Sequence, residues 1–244
     1  MKVGLFIPCY VDQFYPQVGI ATLQLLRRLG CEVEYPTNQA CCGQPTANAG
    51  FDKNSRAAQK TFRRNFEEYD FVVCPSGSCV LYVRDHYPRE TSSSGPEPIG
   101  QRTYELCEFL TDVLNVDKLD ARFDRRVGLH QSCHGLRGLR LGSASESPVE
   151  SPNKVRRLLE MVTDIELIDL DRSDECCGFG GTFAVTEEAV AVKMGSDRIA
   201  DHVSNGAEVV TGTDMSCIMH LEGLARRRGT DITFMHVAQI LNST

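Results

Sequence analysis

The residues here that could do chemistry are cysteines. The chain has 244 residues and eleven of them are cysteine. Nine fall into two copies of one spacing. Cys9 precedes Cys41-Cys42-Gly43, which precedes Cys74-Pro-Ser-Gly-Ser-Cys79. Cys133 precedes Cys176-Cys177-Gly178, which precedes Asp214-Met-Ser-Cys217. The run Lys2-Val-Gly-Leu before Cys9 returns as Arg126-Val-Gly-Leu before Cys133, 124 positions on. The pattern is that of a duplicated unit. The first copy offers five thiols and the second four.

Thiolates that converge in space repel one another unless a cation neutralises them. Iron–sulfur clusters and zinc are the usual solutions. Neighbouring side chains tend to point apart, so Cys-Cys suits several metal atoms better than one zinc. Gly43 and Gly178 allow a turn with positive φ and close approach of the backbone. Gly178-Phe-Gly-Gly181 could form a nest of N–H donors aimed at sulfur. Cys74 and Cys79 belong to a strand-to-helix turn, where a helix N-terminus faces an anion favourably. The second set is one thiolate short, so a centre there must use fewer thiolates or add Asp214, His134 or a solvent molecule. His130 and His134 either hydrogen-bond such a centre, contact a substrate or simply pack. Cys31 and Cys107 have no repeat partner and read as core residues, as do His220 and His236. Arg226-Arg227-Arg228 reads as a solvated helix end or a dock for an acidic partner.

The rest of the composition narrows the possibilities. Net charge is −7 and the pI about 5.4, which argues against nucleic acid as a partner. No apolar run approaches the ~18–20 residues of a membrane span. The apolar start, residues 2–8, meets Asp12 and Gln13 too early for an export signal and reads as a strand. A cytoplasmic location follows, where thiols stay reduced; an odd cysteine count also rules out complete pairing within the chain. Gly-x-Gly-x-x-Gly, phosphate-loop and Gly-x-Ser-x-Gly patterns are absent, as is the bacterial ferredoxin cysteine run.

The elements that must position the cysteines alternate in type. Strands are expected at 2–8, 32–35, 70–74, 166–170 and 208–211, with another at the repeated run from Arg126. Helices are expected at 15–30, 53–68, 80–86, 104–114, 154–162 and 187–203. The helix over 53–68 should bury Ala57, Ala58, Phe62 and Phe66. Residues 91–100 and 143–152 are small, polar loops. Strands alternating with helices imply an α/β fold with mainly parallel sheets. The repeat divides it into two tandem, pseudo-symmetric βαβ-type (Rossmann-like) domains, 1–122 and 123–244.

Two copies of this cysteine pattern over the whole chain resemble the CCG-domain proteins, whose best-understood member is the disulfide-cleaving subunit of heterodisulfide reductase. The resemblance implies a non-cubane [4Fe–4S] cluster on five cysteines in each half. Cys9, Cys41, Cys42, Cys74 and Cys79 would hold the first, although the last pair is Cys-x4-Cys rather than Cys-x2-Cys. Cys133, Cys176, Cys177 and Cys217 would hold a second cluster or a degenerate metal site, with zinc as the alternative. The phrases at 74–79, 176–183 and 214–217 look most like family members of lactate utilisation. They imply an iron–sulfur electron-transfer subunit of a complex oxidising L-lactate to pyruvate, partnered by other subunits including a ferredoxin-type iron–sulfur protein. A glycolate oxidase-type iron–sulfur subunit, a thiol–disulfide reductase of the heterodisulfide type and a zinc-stabilised assembly scaffold are the alternatives.

Overall fold

The computed structural model describes residues 1–87 and 98–244. Most of the expected loop at 91–100 lies outside the described residues. The apolar run at the start forms β1 (Lys2–Leu5), with Val3, Gly4 and Leu5 buried. It pairs in parallel with β2 (Glu32–Glu34) on one side and β3 (Phe71–Cys74) on the other, and β4 (Thr103–Glu105) completes the sheet. The order is β2-β1-β3-β4. In the second half, β5 (Arg126–Leu129), β6 (Glu166–Ile168), β7 (Val209–Gly212) and β8 (Thr233–His236) form a second all-parallel sheet in the order β6-β5-β7-β8. The two orders are the same, so the repeat in sequence is a repeat of topology. Two α/β, Rossmann-like units result.

Parallel neighbours need crossover connections, and helices supply them. In the first half these are α1 (Cys9–Phe14), α2 (Pro16–Arg28), α3 (Gln44–Asn48), α4 (Asp52–Phe66), α5 (Gly77–His86) and α6 (Leu106–Glu108), which runs into a π-helical turn at Phe109–Val113. The second half has a π-helical turn at His134–Gly138, then α7 (Lys154–Leu159), α8 (Phe183–Thr186), α9 (Glu188–Ser204), α10 (Met215–Arg228) and α11 (Val237–Leu241). α2 buries Val18, Ala21, Leu25 and Leu26, and Gly30 ends its turn at φ +84°. α4 buries Ser55, Phe62 and Phe66; Ala58 is half-buried and Ala57, expected inside, is exposed. Among the described residues no helix is long and apolar enough to cross a membrane.

One expected element differs. The helix expected over 104–114 starts only at Leu106, because Thr103–Glu105 pairs with Val72–Cys74 as an edge strand. Glu105 marks the change: its carboxylate accepts the Cys107 N–H at 2.7 Å and caps the helix.

The repeated glycine of Val-Gly-Leu has a packing cause. A Cβ on Gly4 would stand 2.7 Å from the Phe66 ring and 2.8 Å from that of Tyr69; one on Gly128 would stand 2.3 Å from His202 Nδ1. Each central strand lies that close to the helix crossing it. The halves also grip each other. Arg28 donates to the Leu241 carbonyl at 3.0 Å, Asn242 to Gln24 at 2.8 Å and the Tyr15 hydroxyl to Glu222 at 3.0 Å. Overpacking a rigid core site costs ~1–3 kcal/mol. Gly4→Ala is therefore expected to lower the unfolding free energy measured in urea by that much, and an unchanged value would contradict the packing described.

Candidate metal centre

Every patterned cysteine sits at or beyond the carboxyl end of a parallel strand, where open α/β sheets present their binding sites. Cys9 opens α1 just after β1, and Cys133 stands at the corresponding place after β5. Cys79 and Cys217 occupy the first turns of α5 and α10, after β3 and β7. The Cys-Cys-Gly runs lie in the connections after β2 and β6. Their glycines adopt φ +94° at Gly43 and +85° at Gly178. The turn points backbone donors at sulfur: Gly43 N–H to Cys41 Sγ at 3.5 Å, and Gly178 N–H to Cys176 Sγ at 3.4 Å. Phe179 N–H donates to Cys177 Sγ at 3.5 Å. Gly180 and Gly181 are also left-handed, at φ +53° and +66°.

The two sheets aim these ends at one another. A single cavity of about 550 Å³ is lined by Cys9, Cys41, Cys42 and Cys79 from the first half and by Cys133, Cys176, Cys177 and Cys217 from the second. His130, His134, Tyr10 and Phe179 complete much of its wall. Tyr10 and Phe179, one from each half, meet edge to face with ring centroids 6.1 Å apart. Cys9 and Cys41 sulfurs lie 3.7 Å apart, and Cys42 and Cys79 sulfurs 3.5 Å. All eleven cysteines are free thiols. The donor set thus fits a soft metal centre: crowded thiols, unbridged, with a buried imidazole among them.

The ninth patterned cysteine is placed differently. Cys74 is fully buried at the end of β3 and does not line the cavity. Its Sγ donates to the Ser76 carbonyl at 3.9 Å, and after burial the neighbouring Cys79 is the next cause that pushes its thiol up. The cavity therefore sees four thiols from each half. Cys31 and Cys107 are buried in the core, away from the cavity. Asp214 does not line the cavity either. Its carboxylate accepts from Ser76 Oγ at 2.8 Å, Ser78 N–H at 3.0 Å and Ser132 Oγ at 2.6 Å, and it is 1 % exposed. Ser76 and Asp214 are the residues three before Cys79 and Cys217, so two equivalent helix-entry positions meet where the halves touch. Ser132 and Tyr10 carry no motif that marks them in the sequence, and Ser76 and Ser78 stand inside the 74–79 phrase without a role assigned to them. The signal available for Ser76 was its alignment with Asp214. His134 is exposed at the cavity edge, and His220 half-buried, its ring 5.9 Å from Phe179. His236 is buried and caps α11. Arg226 pairs with Glu222 in the last turn of α10, as a solvated helix end would.

Charge is unevenly shared among these thiols. Cys41 is pulled below the ordinary thiol range because Cys42 and Cys9 donate to it, and Cys176 likewise by Cys133 and Cys177. The same contacts, together with burial, push Cys9, Cys42, Cys133 and Cys177 up. Burial pushes Cys74 up as well. Cys79 is pulled down as well, by Cys42 and Cys74. Thiolates set beside protonated neighbours are what crowding allows without a cation. Metal binding must displace those protons. Zn²⁺ added anaerobically to the metal-free chain at pH 7 is expected to release protons and to bind more tightly as pH rises. Calorimetry in buffers of different ionisation enthalpy reads this; a heat independent of buffer would refute it.

Known proteins of similar sequence match this chain end to end. The cysteine-rich domain model (CCG) matches twice, over residues 3–84 and 127–222. A protein named lactate utilization protein A from Macrococcus caseolyticus is 40 % identical over 248 residues, covering 100 % of this chain and 97 % of that one. One of the same name from a Geobacillus strain is 39 % identical over 248 residues, covering 100 % of both. Among solved structures, a glutamate racemase from Bacillus anthracis covers 99 % of this chain and 78 % of its own at 10 % identity, with a TM-score of 0.36. That likeness is too loose to bear on fold or function. Matched in both halves and paralleled over its full length, the chain belongs to the CCG cysteine-rich domain family, alongside the lactate utilization protein A chains.

Proposed function

We propose that this chain is a cytoplasmic iron–sulfur electron-transfer subunit of a complex that oxidises L-lactate to pyruvate. The observation that carries the reading is the convergence of eight free thiols, four from each half, on one cavity. The names of the full-length relatives supply the substrate. Cys9, Cys41, Cys42 and Cys79 hold the first centre, with Cys74 as its fifth thiol from behind; Cys133, Cys176, Cys177 and Cys217 hold the second. The duplicated units 1–122 and 123–244 each contribute one centre. Bound there, a [4Fe–4S] group supplies reversible one-electron acceptance. The chain's own part is to hold and tune. N–H groups of Gly43, Gly178 and Phe179, directed at sulfur, favour added negative charge. Tyr10 and Phe179 restrict water at the cavity wall. Oxidising lactate removes two electrons and two protons. In this reading a partner subunit carries out that step and passes the electrons on, and a ferredoxin-type iron–sulfur protein is among the partners.

A second reading draws on the same cavity. An opening of about 550 Å³ beside the thiols has room for a small disulfide, the substrate of a heterodisulfide-type reductase. Turnover of a small disulfide by this chain with an electron donor would favour it.

Anaerobic purification with iron, sulfide and zinc analysis and EPR tests the first reading. Iron and acid-labile sulfide in both halves are expected. Cys42→Ser should remove the first centre's signal while Cys177→Ser removes the second's. Stoichiometric zinc without sulfide would overturn the iron–sulfur reading in favour of a zinc-stabilised scaffold.

A further inference from the structure

The two halves differ at two places close to the thiols, and the differences offset each other. Five positions before Cys79 the first half has Cys74, whereas five before Cys217 the second has Gly212. These are the last residues of β3 and β7. Gly212 is not simply a cysteine lost. A Cβ there would stand 2.9 Å from the His130 carbonyl oxygen. The backbone of the second half has closed over the space a thiol would need.

The other difference is His130 itself. It follows Val-Gly-Leu in β5, so its counterpart after β1 is Phe6. Phe6 packs edge-on against Phe62 and Phe66, at 5.0 and 5.8 Å between centroids. His130 has a different setting. It is 1 % exposed and lines the cavity, and neither ring nitrogen has a hydrogen-bond partner among the described residues. Buried polar atoms are rarely left so. A ring nitrogen of His130, Cys177 Sγ and Cys217 Sγ lie within 4.8 Å of one another. Metal–sulfur bonds of ~2.3 Å and metal–nitrogen bonds of ~2.0 Å bring such a trio onto one ion with small side-chain shifts.

The geometry points to His130 as a metal ligand of the second half, its imidazole nitrogen beside Cys177 and Cys217 doing what the extra thiol of Cys74 does in the first. This rests on the reading that the cysteine quartets bind metal. It has a consequence for that function. A neutral nitrogen in place of a thiolate leaves the second centre with one negative charge fewer, which raises its reduction potential relative to an all-thiolate site. Electrons entering at the first centre then run downhill to the second.

The test uses the full-length metal-free chain, labelled with [15N]histidine and loaded with Co²⁺ under anaerobic conditions. Pulsed EPR of the wild-type chain should show a directly coupled 15N. His130→Phe, which copies Phe6, should abolish the coupling and weaken uptake of the second Co²⁺ equivalent at least tenfold. His134→Phe should leave both unchanged. Bound Co²⁺ without 15N coupling in the wild-type chain would overturn the assignment, whether or not the variant folds, as would coupling that survives in His130→Phe. Iron and sulfide content judges the parent reading separately. Coupling with no iron or sulfide would sink the iron–sulfur function and leave the ligand standing; iron and sulfide with no coupling does the reverse. No Co²⁺ bound at all overturns both.

Discussion

Two sheets can present their strand ends to each other only if the polar groups between them are satisfied. Asp214 does this. One buried carboxylate takes hydrogen bonds from Ser76 and Ser78 of the first half and from Ser132 of the second. Ser76 meanwhile accepts the Cys79 N–H and so starts α5. One small network thereby fixes how the halves meet and where a helix carrying a cavity thiol begins. An unpaired buried carboxylate would be expensive; three donors make the contact a preferred geometry. The thiol cavity depends on that docking, because neither sheet encloses it alone.

Around that contact, duplication gives near-symmetry and sequence drift gives the departures from it. The same strand order brings Cys9 and Cys133, and Cys79 and Cys217, from equivalent places in the two halves to the wall of one space. The same glycine sits where each central strand meets its crossing helix. Three departures lie at the strand ends that carry the thiols: Cys74 against Gly212, Phe6 against His130, Ser76 against Asp214. A fold that needed only stability could drift anywhere on its surface. Here the two copies differ in charge and donor type beside the thiols, which is where a functional difference between two centres would be written.

Much of this was legible in the chain because it is local or periodic. The strands at 2–5, 71–74 and 209–212 are built on short apolar runs (Val3–Leu5, Phe71–Cys74, Val209-Val210), and the cysteine spacing singled out all eight thiols that line the cavity. Two of the four edge strands, β4 and β8, were harder than β2 and β6. β4 has three residues and runs straight into a helical pattern; β8 has four, Thr233-Phe-Met-His236, with no alternation to betray it. Both are defined by pairing with a neighbour rather than by their own pattern. Three features are long-range and left no local mark. These are the sharing of one cavity by both halves, the retreat of Cys74 behind Cys79, and the Ser76–Asp214 contact across 138 positions.

The closeness of the cavity sulfurs also bears on how the protein is made. Free thiols 3.5 and 3.7 Å apart need little movement to reach the ~2.05 Å of a disulfide. A newly folded chain therefore faces a race between metal delivery and air. If oxidant arrives first, the pairs close into cross-links that occupy the donors, and a reductant must open them before metal can bind. Because each quartet brings together segments far apart in sequence, one such bond staples distant loops, so the cross-linked product is the more rigid one. Growth conditions, rather than the genetic blueprint alone, would then decide what fraction of molecules ever becomes competent.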